Sequence, residues 1–212
     1  MTEAALIDEP FADSDDDAPG HGAGGPASAS VTVSFGFWVF LLSDIVMFSA
    51  LFAAHAVLAS HTAGGPTARQ LFHLPRVALE TGLLLASSFS CGMLSIATSV
   101  RHKPAIYAAA AVTFALGAAF IGLEINDFNG LVAQGFGPSR SAFLSSYFTL
   151  VGAHGAHVTA GLIWLLVMMA QVATRGFRPS TLRRLYCFTL FWHALDIVWV
   201  AVFTIVYLKG VI

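Results

Sequence analysis

The sequence predicts an all-α integral membrane protein, a bundle of five transmembrane helices. The balance of residue types points there first, since 57% of the 212 residues are hydrophobic and only 10% are charged. A soluble domain usually carries about 25% charge. Five apolar segments also reach membrane-spanning length, about 20 residues for a 30 Å hydrocarbon core at 1.5 Å rise per residue. The last of them, LYCFTLFWHALDIVWVAVFTIVYL, adds a third observation. Near its middle His193 and Asp196 form an ionisable i,i+3 pair between Trp192 and Trp199. On a helix Trp192, Asp196, Trp199 and Tyr207 share a stripe, with His193 at its edge. A charge at the bilayer centre costs at least about 3 kcal/mol, so this stripe should face protein.

Residues 1–30 form the first unit. Seven of the chain's 12 acidic residues (Glu3, Asp8, Glu9, Asp13, Asp15, Asp16, Asp17) lie in its first 17 positions. Gly, Ala, Ser and Pro follow without apolar periodicity, so a disordered tail is expected. No basic stretch precedes an apolar core, which argues against a signal peptide. Residues 31–212 form the membrane domain.

Its first span is expected at 33–59, interrupted by Asp44 and His55, whose separation returns to nearly the same helical face. Gly64, Gly65 and Pro66 mark a turn, and Pro75 a helix start. The second span, 77–100, places Glu80, Ser87, Cys91 and Thr98 on one weakly polar face suited to helix contact in lipid. A tight turn at 101–104 leads to the third span, 105–125, which ends at Glu124 with Asn126 and Asp127 just beyond. The loop to Arg140 holds Gly135, Gly137 and Pro138. The fourth span, 142–173, has no Lys, Arg, Asp or Glu, and is long enough that it must tilt or start outside hydrocarbon. Gly152, Ala156 and Ala160 form a small-residue ridge there, with His154 and His157 alongside. The fifth span covers 185–208.

Cationic residues set the orientation. The N-terminal side carries six (Arg101, Lys103, Arg175, Arg178, Arg183, Arg184) and the opposite side four (Arg69, Arg76, Arg140, Lys209), placing the N-terminus in the cytoplasm and the C-terminus outside. Counting residues along each span then brings Asp44, His154, His157, His193 and Asp196 to one mid-membrane depth. Glu80 and Glu124 fall together near the outer face.

Those polar groups admit three readings. His154 and His157 at i,i+3, with His193, match the residue types of a metal or haem site. Asp and His within spans also mark proton relays. The third reading is structural, with carboxylates, imidazoles and indoles pairing to lock helices together. Facing axial-His pairs are absent. Cys91 and Cys187 sit in apolar segments without a CxxC partner and read as small buried hydrophobes. No GxSxG, HExxH or phosphate loop occurs, and no basic-aromatic patch suits nucleic acid.

From Phe35 onward the chain resembles subunit III of haem–copper respiratory oxidases, and most closely the cytochrome o ubiquinol oxidase form. The passages that carry the likeness include FGFWVFLLSDIVMFSALFAAHAVL, LETGLLLASSFSCG, FIGLEINDF, GPSRSAFLSSYFTLVGAHGAHVTAGLIW and LFWHALDIVWVAVFTIVYLKG. The last two combine GxHGxHV with WHxxDxVW. Five spans rather than seven, and Asp44 where the cytochrome c branch typically has Glu, favour the quinol oxidase branch. The resemblance implies a non-catalytic subunit without redox centre of its own, supporting assembly, stability and proton uptake of a proton-pumping terminal oxidase. Haems and copper are then expected in subunit I, the main partner, with subunit II, a small subunit IV and membrane phospholipid as further contacts. A bacterial inner membrane is the implied location. Asp44, His154, His157, His193 and Asp196 become a structural or lipid-associated layer, and Glu80 and Glu124 outer-face carboxylates. Two alternatives remain, subunit III of a cytochrome c oxidase and an independent transporter or proton channel.

Overall fold

A computed structural model describes residues 29–65, 68–71 and 74–211. The acidic tail expected over 1–30 lies outside the described residues apart from its last two, as do Pro66 and His73. Helices α1 (Ala29–Leu58), α3 (Leu74–Ser99), α4 (Lys103–Ala133), α5 (Ala142–Arg175) and α6 (Pro179–Val202) are joined by a one-turn α2 (Ala68–Leu71) and short loops. A π-helical stretch, Phe203–Leu208, prolongs α6 and gives way to a last turn, Lys209–Val211. Five helices are long and apolar enough to cross a membrane, and the described residues contain no strand. The fold is a five-helix membrane bundle.

Local chemistry explains the ends. Pro opens α4 and α6 where a backbone N–H would have no helical partner anyway. Ser141 caps α5 by accepting from the Leu144 N–H at 3.2 Å. At the end of α4 Gly135 takes φ +80°, and the Gly135 and Phe136 amides return to the Val132 and Leu131 carbonyls. Such closure needs a residue that tolerates left-handed backbone.

Two expected boundaries change. The third span was predicted to end at residue 125, but α4 runs on to Ala133. Asp127 is held there by Arg76 at 2.5 Å, and Phe128 packs on Tyr147 and Phe148. Polar side chains ended the apolar pattern without ending the helix. The last span, expected over 185–208, lies in a helix that already starts at Pro179, and its final turns are π-helical, with Val206 and Tyr207 buried.

Helices α3 and α4 pack most extensively, α5 contacts α1, α4 and α6, and α6 also lies on α3. Apolar burial does not drive such association in lipid, so close fit and polar pairing must. Trp192 supplies the tightest fit. A Cβ on Gly161 would stand 2.9 Å from its ring and one on Gly117 3.0 Å, so two glycines form the slot that admits the indole. The predicted ridge of Gly152, Ala156 and Ala160 is different. Ala156 and Ala160 are exposed, about half a turn from the buried Val151, His154 and Val158 face of α5. Helix α1 is the peripheral member, with Phe35, Trp38, Leu42 and Val46 turned outward.

Candidate functional site

The polar stripe of α6 meets α3 in antiparallel register. The Trp192 indole N–H donates to Ser87 Oγ at 3.2 Å, and Ser87 in turn donates to the Thr113 carbonyl on α4 at 3.1 Å. One helical repeat away the Trp199 N–H donates to Thr81 Oγ1 at 3.1 Å, and Thr81 donates to its own helix at Val77 O. Between them His193 Nδ1 and Ser88 Oγ are 2.7 Å apart, and Asp196 lies beside the same serine. Each indole therefore ends on a hydroxyl whose proton is already committed to a carbonyl. Serine and threonine suit this task because they can accept and donate at once.

A second set lies on the other side of α6. His157 donates from Nδ1 to the Ala153 carbonyl at 2.7 Å, leaving Nε2 3.9 Å from Asp44 Oδ1. That distance is ionic proximity rather than a hydrogen bond. Further along the same two helices His55, which the sequence left without a role, is buried and 3.0 Å from Ser146 Oγ. Since Ser146 donates to Phe143 O, the His55 Nδ1–H must be the donor. Eleven residues separate Asp44 from His55, and eleven separate Ser146 from His157, so α1 and α5 are clasped at two matched heights. His154 is fully buried among Phe48, Phe120 and Trp199, and neither ring nitrogen has a hydrogen-bond partner among the described residues.

The five residues expected in one layer thus divide into two groups. Asp44 and His157 lie between α1 and α5, with His154 in the core among Phe48, Phe120 and Trp199, whereas His193 and Asp196 face Ser88 on α3. Among the described residues no hydrogen bond or ion pair joins the groups. The reason is angular. Against α1, α6 presents Phe191, Ala194, Leu195 and Val198, including the groove wall facing Asp44. Residues 193 and 196 point nearly the opposite way around the helix at 100° per residue.

The carboxylates of Glu80 and Glu124, at the end of the bundle opposite the start of α1, do meet. Glu80 and Glu124 are 1% and 5% exposed, and Asp127 and Arg76 complete the cluster. Among the described residues Glu80 Oε1, both Glu124 oxygens and Arg76 Nε have no hydrogen-bond partner. Beside Glu124 the Tyr147 and Tyr207 hydroxyls are 3.0 Å apart, the latter carried by the π-helical stretch. Sequence reading missed Arg76 and Asp127 as members, although the signal was present. Arg76 precedes Glu80 by four residues and Asp127 follows Glu124 by three, so each pair shares a helical face.

Chemically, these groups can hold helices together and can bind protons or water. His193 turns to α3 while His154 and His157 lie toward α1, and among the described residues no three His, Cys, Asp or Glu side chains converge on a cation position.

Comparison with known proteins adds the following. A family model described as cytochrome c oxidase subunit III matches residues 20–211. Cytochrome bo(3) ubiquinol oxidase subunit 3 of Pseudomonas aeruginosa is 56% identical over 176 residues, 83% of this chain and 84% of that protein. The protein of the same description from Pseudomonas putida is 49% identical over 185 residues, covering 87% and 89%. That from Buchnera aphidicola is 42% identical over 178 residues, covering 84% and 87%.

Proposed function

The chain belongs to the cytochrome c oxidase subunit III family, and on that premise we propose that it serves as the non-catalytic subunit 3 of a bacterial cytochrome bo(3)-type ubiquinol oxidase. The observation that carries the reading is the 56% identity over 83% of the chain to a bo(3) subunit 3. Five spanning helices and buried polar groups without a convergent ligand set agree with it. A multi-pass subunit of a respiratory terminal oxidase has the other oxidase subunits as neighbours, here a haem- and copper-bearing subunit I, subunit II and a small subunit IV. Within such a complex this chain supports assembly, stability and proton uptake, and oxygen reduction proceeds in its partners. Asp44, His154, His157, His193 and Asp196 act as a structural or lipid-associated layer, and Glu80 and Glu124 as outer-face carboxylates. The bacterial cytoplasmic membrane is the site of action, with the N-terminus cytoplasmic and the C-terminus periplasmic, the orientation that the six-to-four cation bias supports.

Purification through a tag on this chain tests the reading. The same detergent particle should contain a large subunit and haem absorbance, and should oxidise ubiquinol rather than reduced cytochrome c. Oxidation of cytochrome c instead would assign the chain to the other oxidase branch. A particle without haem or other subunits would favour a transporter or channel. Within the particle, His157→Ala should leave the reduced-minus-oxidised spectrum unchanged, whereas loss of a haem band with all subunits retained would make His157 a ligand.

A further inference from the structure

The face on which α1 begins carries a charge imbalance that none of the groups above relieves. Helices α3 and α5 end there and α4 and α6 start there, bringing Arg101, Lys103, Arg175, Arg178, Arg183 and Arg184 together. No Asp or Glu among the described residues lies on it, since Asp44, Glu80, Glu124, Asp127 and Asp196 all sit within the spans. Membrane orientation accounts for the side these cations occupy, but it supplies them no counter-charge.

The cations also cluster around the α5–α6 loop. Lys103 Nζ stands 5.8 Å from the centre of the Phe177 ring, and Phe177 is the neighbour of Arg178 in that loop. Arg184 donates to Gln171 Oε1 at 3.3 Å, which ties the start of α6 to the end of α5. Lys103, Arg175, Arg178 and Arg184 are all exposed. Two helix N-termini add to the positive field. Neither α4 nor α6 has an acidic residue in its first turn or a side-chain cap at His102 or Arg178, where carboxylates are ordinarily favoured.

The missing negative charge is present in the chain itself. Seven acidic residues lie between Glu3 and Asp17, and no Lys or Arg occurs before Arg69. Those acids all precede residue 20, where the match to the family model begins. Helix α1 starts at Ala29 on the same face. Its N-terminal half lies against the parts of α5 and α6 that lead to Arg175 and Arg178, with Phe37 packed on Trp164 and Phe40 on Phe191 at ring-centroid distances of 6.1 and 6.3 Å. Twelve residue steps separate Asp17 from Ala29. At about 3.3–3.6 Å each they can reach about 40 Å, several interhelix spacings of about 8–10 Å. Every cation of the face is within that radius.

We propose that the acidic segment Glu3–Asp17 docks on this basic face of its own chain, its carboxylates pairing with Lys103, Arg175, Arg178 and Arg184 and covering the N-termini of α4 and α6. A single exposed ion pair contributes little. A tethered segment with seven charges, however, meets its partners at an effective concentration of millimolar order. The proposal requires only this chain, so it stands or falls apart from the oxidase assignment.

Carbodiimide coupling in the purified full complex tests it, because the reagent joins a carboxylate to a lysine amine only where the two touch. Lys103 is the one lysine of the chain on this face, Lys209 being at the opposite end. Mass spectrometry should find Lys103 joined to an acidic residue of segment 3–17 at low salt. The yield should fall about tenfold or more in 1 M salt, where the screening length shrinks to about 3 Å. Combining Arg175→Gln with Arg178→Gln leaves Lys103 in place and should lower the yield about threefold or more. A spin-label distance between Ser14→Cys and Ser180→Cys, which should lengthen in the same salt, guards against an unreactive lysine; the native Cys91 and Cys187 are buried. A face covered by lipid headgroups or by a neighbouring subunit would leave Lys103 uncoupled to the segment and the spin-label distance insensitive to salt. Those results would overturn the proposal, as would a coupling yield indifferent to salt and to the arginine pair.

Discussion

The α3–α6 seam and the Glu80–Glu124 carboxylate cluster share a helix and differ in almost everything else. In the seam, neutral indole donors end on hydroxyls that are themselves satisfied, and the one ionisable pair, His193 and Asp196, meets Ser88 with Asp196 Oδ1 alone left over among the described residues. In the cluster, three carboxylate oxygens and one guanidinium nitrogen remain unpartnered in a nearly inaccessible position. A closed set of neutral groups can fix how two helices sit against each other. An open set of ionisable groups, tied across α3 and α4 only by the Arg76–Asp127 pair and the Glu80–Asp127 contact, fixes less. Helix register should therefore depend on the seam far more than on the cluster.

The strongest attempt to break this contrast is Trp199→Ala. It removes a fully buried side chain that touches Phe120 and His154 and donates to Thr81. A loss of about 3–5 kcal/mol is expected, read as release of the subunit from its complex at markedly lower detergent concentration. Retention equal to wild type would show that the seam does not set the bundle. Gly161→Ala comes next, at about 1–3 kcal/mol from overpacking against Trp192. Its thermal midpoint should fall, and pairing it with Trp192→Phe should return part of the loss. An additive pair would disprove the slot.

Smaller still is Thr81→Val, which keeps the shape but removes the acceptor for Trp199. Hydrogen bonds between membrane helices average about 0.6 kcal/mol and reach about 1.7, so a modest shift in the same midpoint is expected, with a changed indole emission. The least effect belongs to Glu124→Gln. Neither oxygen of Glu124 has a hydrogen-bond partner among the described residues, so an amide of the same shape should fold and assemble as wild type does. A drop as large as that of Gly161→Ala would mean that the cluster, not the seam, holds α3 against its neighbours.

Span count was legible because it follows from length, hydropathy and rise per residue. The α3 stripe of Glu80, Ser87, Cys91 and Thr98 was legible for a similar reason, and all four are buried. What one sequence leaves open is direction around the axis relative to a neighbour. His193 and Asp44 have matching depths, but which side of α6 meets α1 depends on helix arrangement, and that depends on where Trp192 finds its glycines. Close approach was equally ambiguous. Gly152, Ala156 and Ala160 repeat at the spacing that favours helix contact, yet the tight contact uses Gly117 and Gly161 on two different helices. The extension of α4 was hidden because hydropathy reports where lipid ends, not where hydrogen bonding along the backbone does.

The two-point clasp of α1 on α5 also bears on the order of biogenesis. Asp44 leaves the ribosome more than a hundred residues before His157, and His55 some ninety before Ser146. At about 5–20 residues per second the first helix waits on the order of ten seconds for the surface that receives it. Throughout that interval its carboxylate has no imidazole beside it, in an environment where a bare charge is costly. Helix α1 is thus the first to be made and among the last to be docked, and the newborn chain depends longest on the insertion machinery at Asp44.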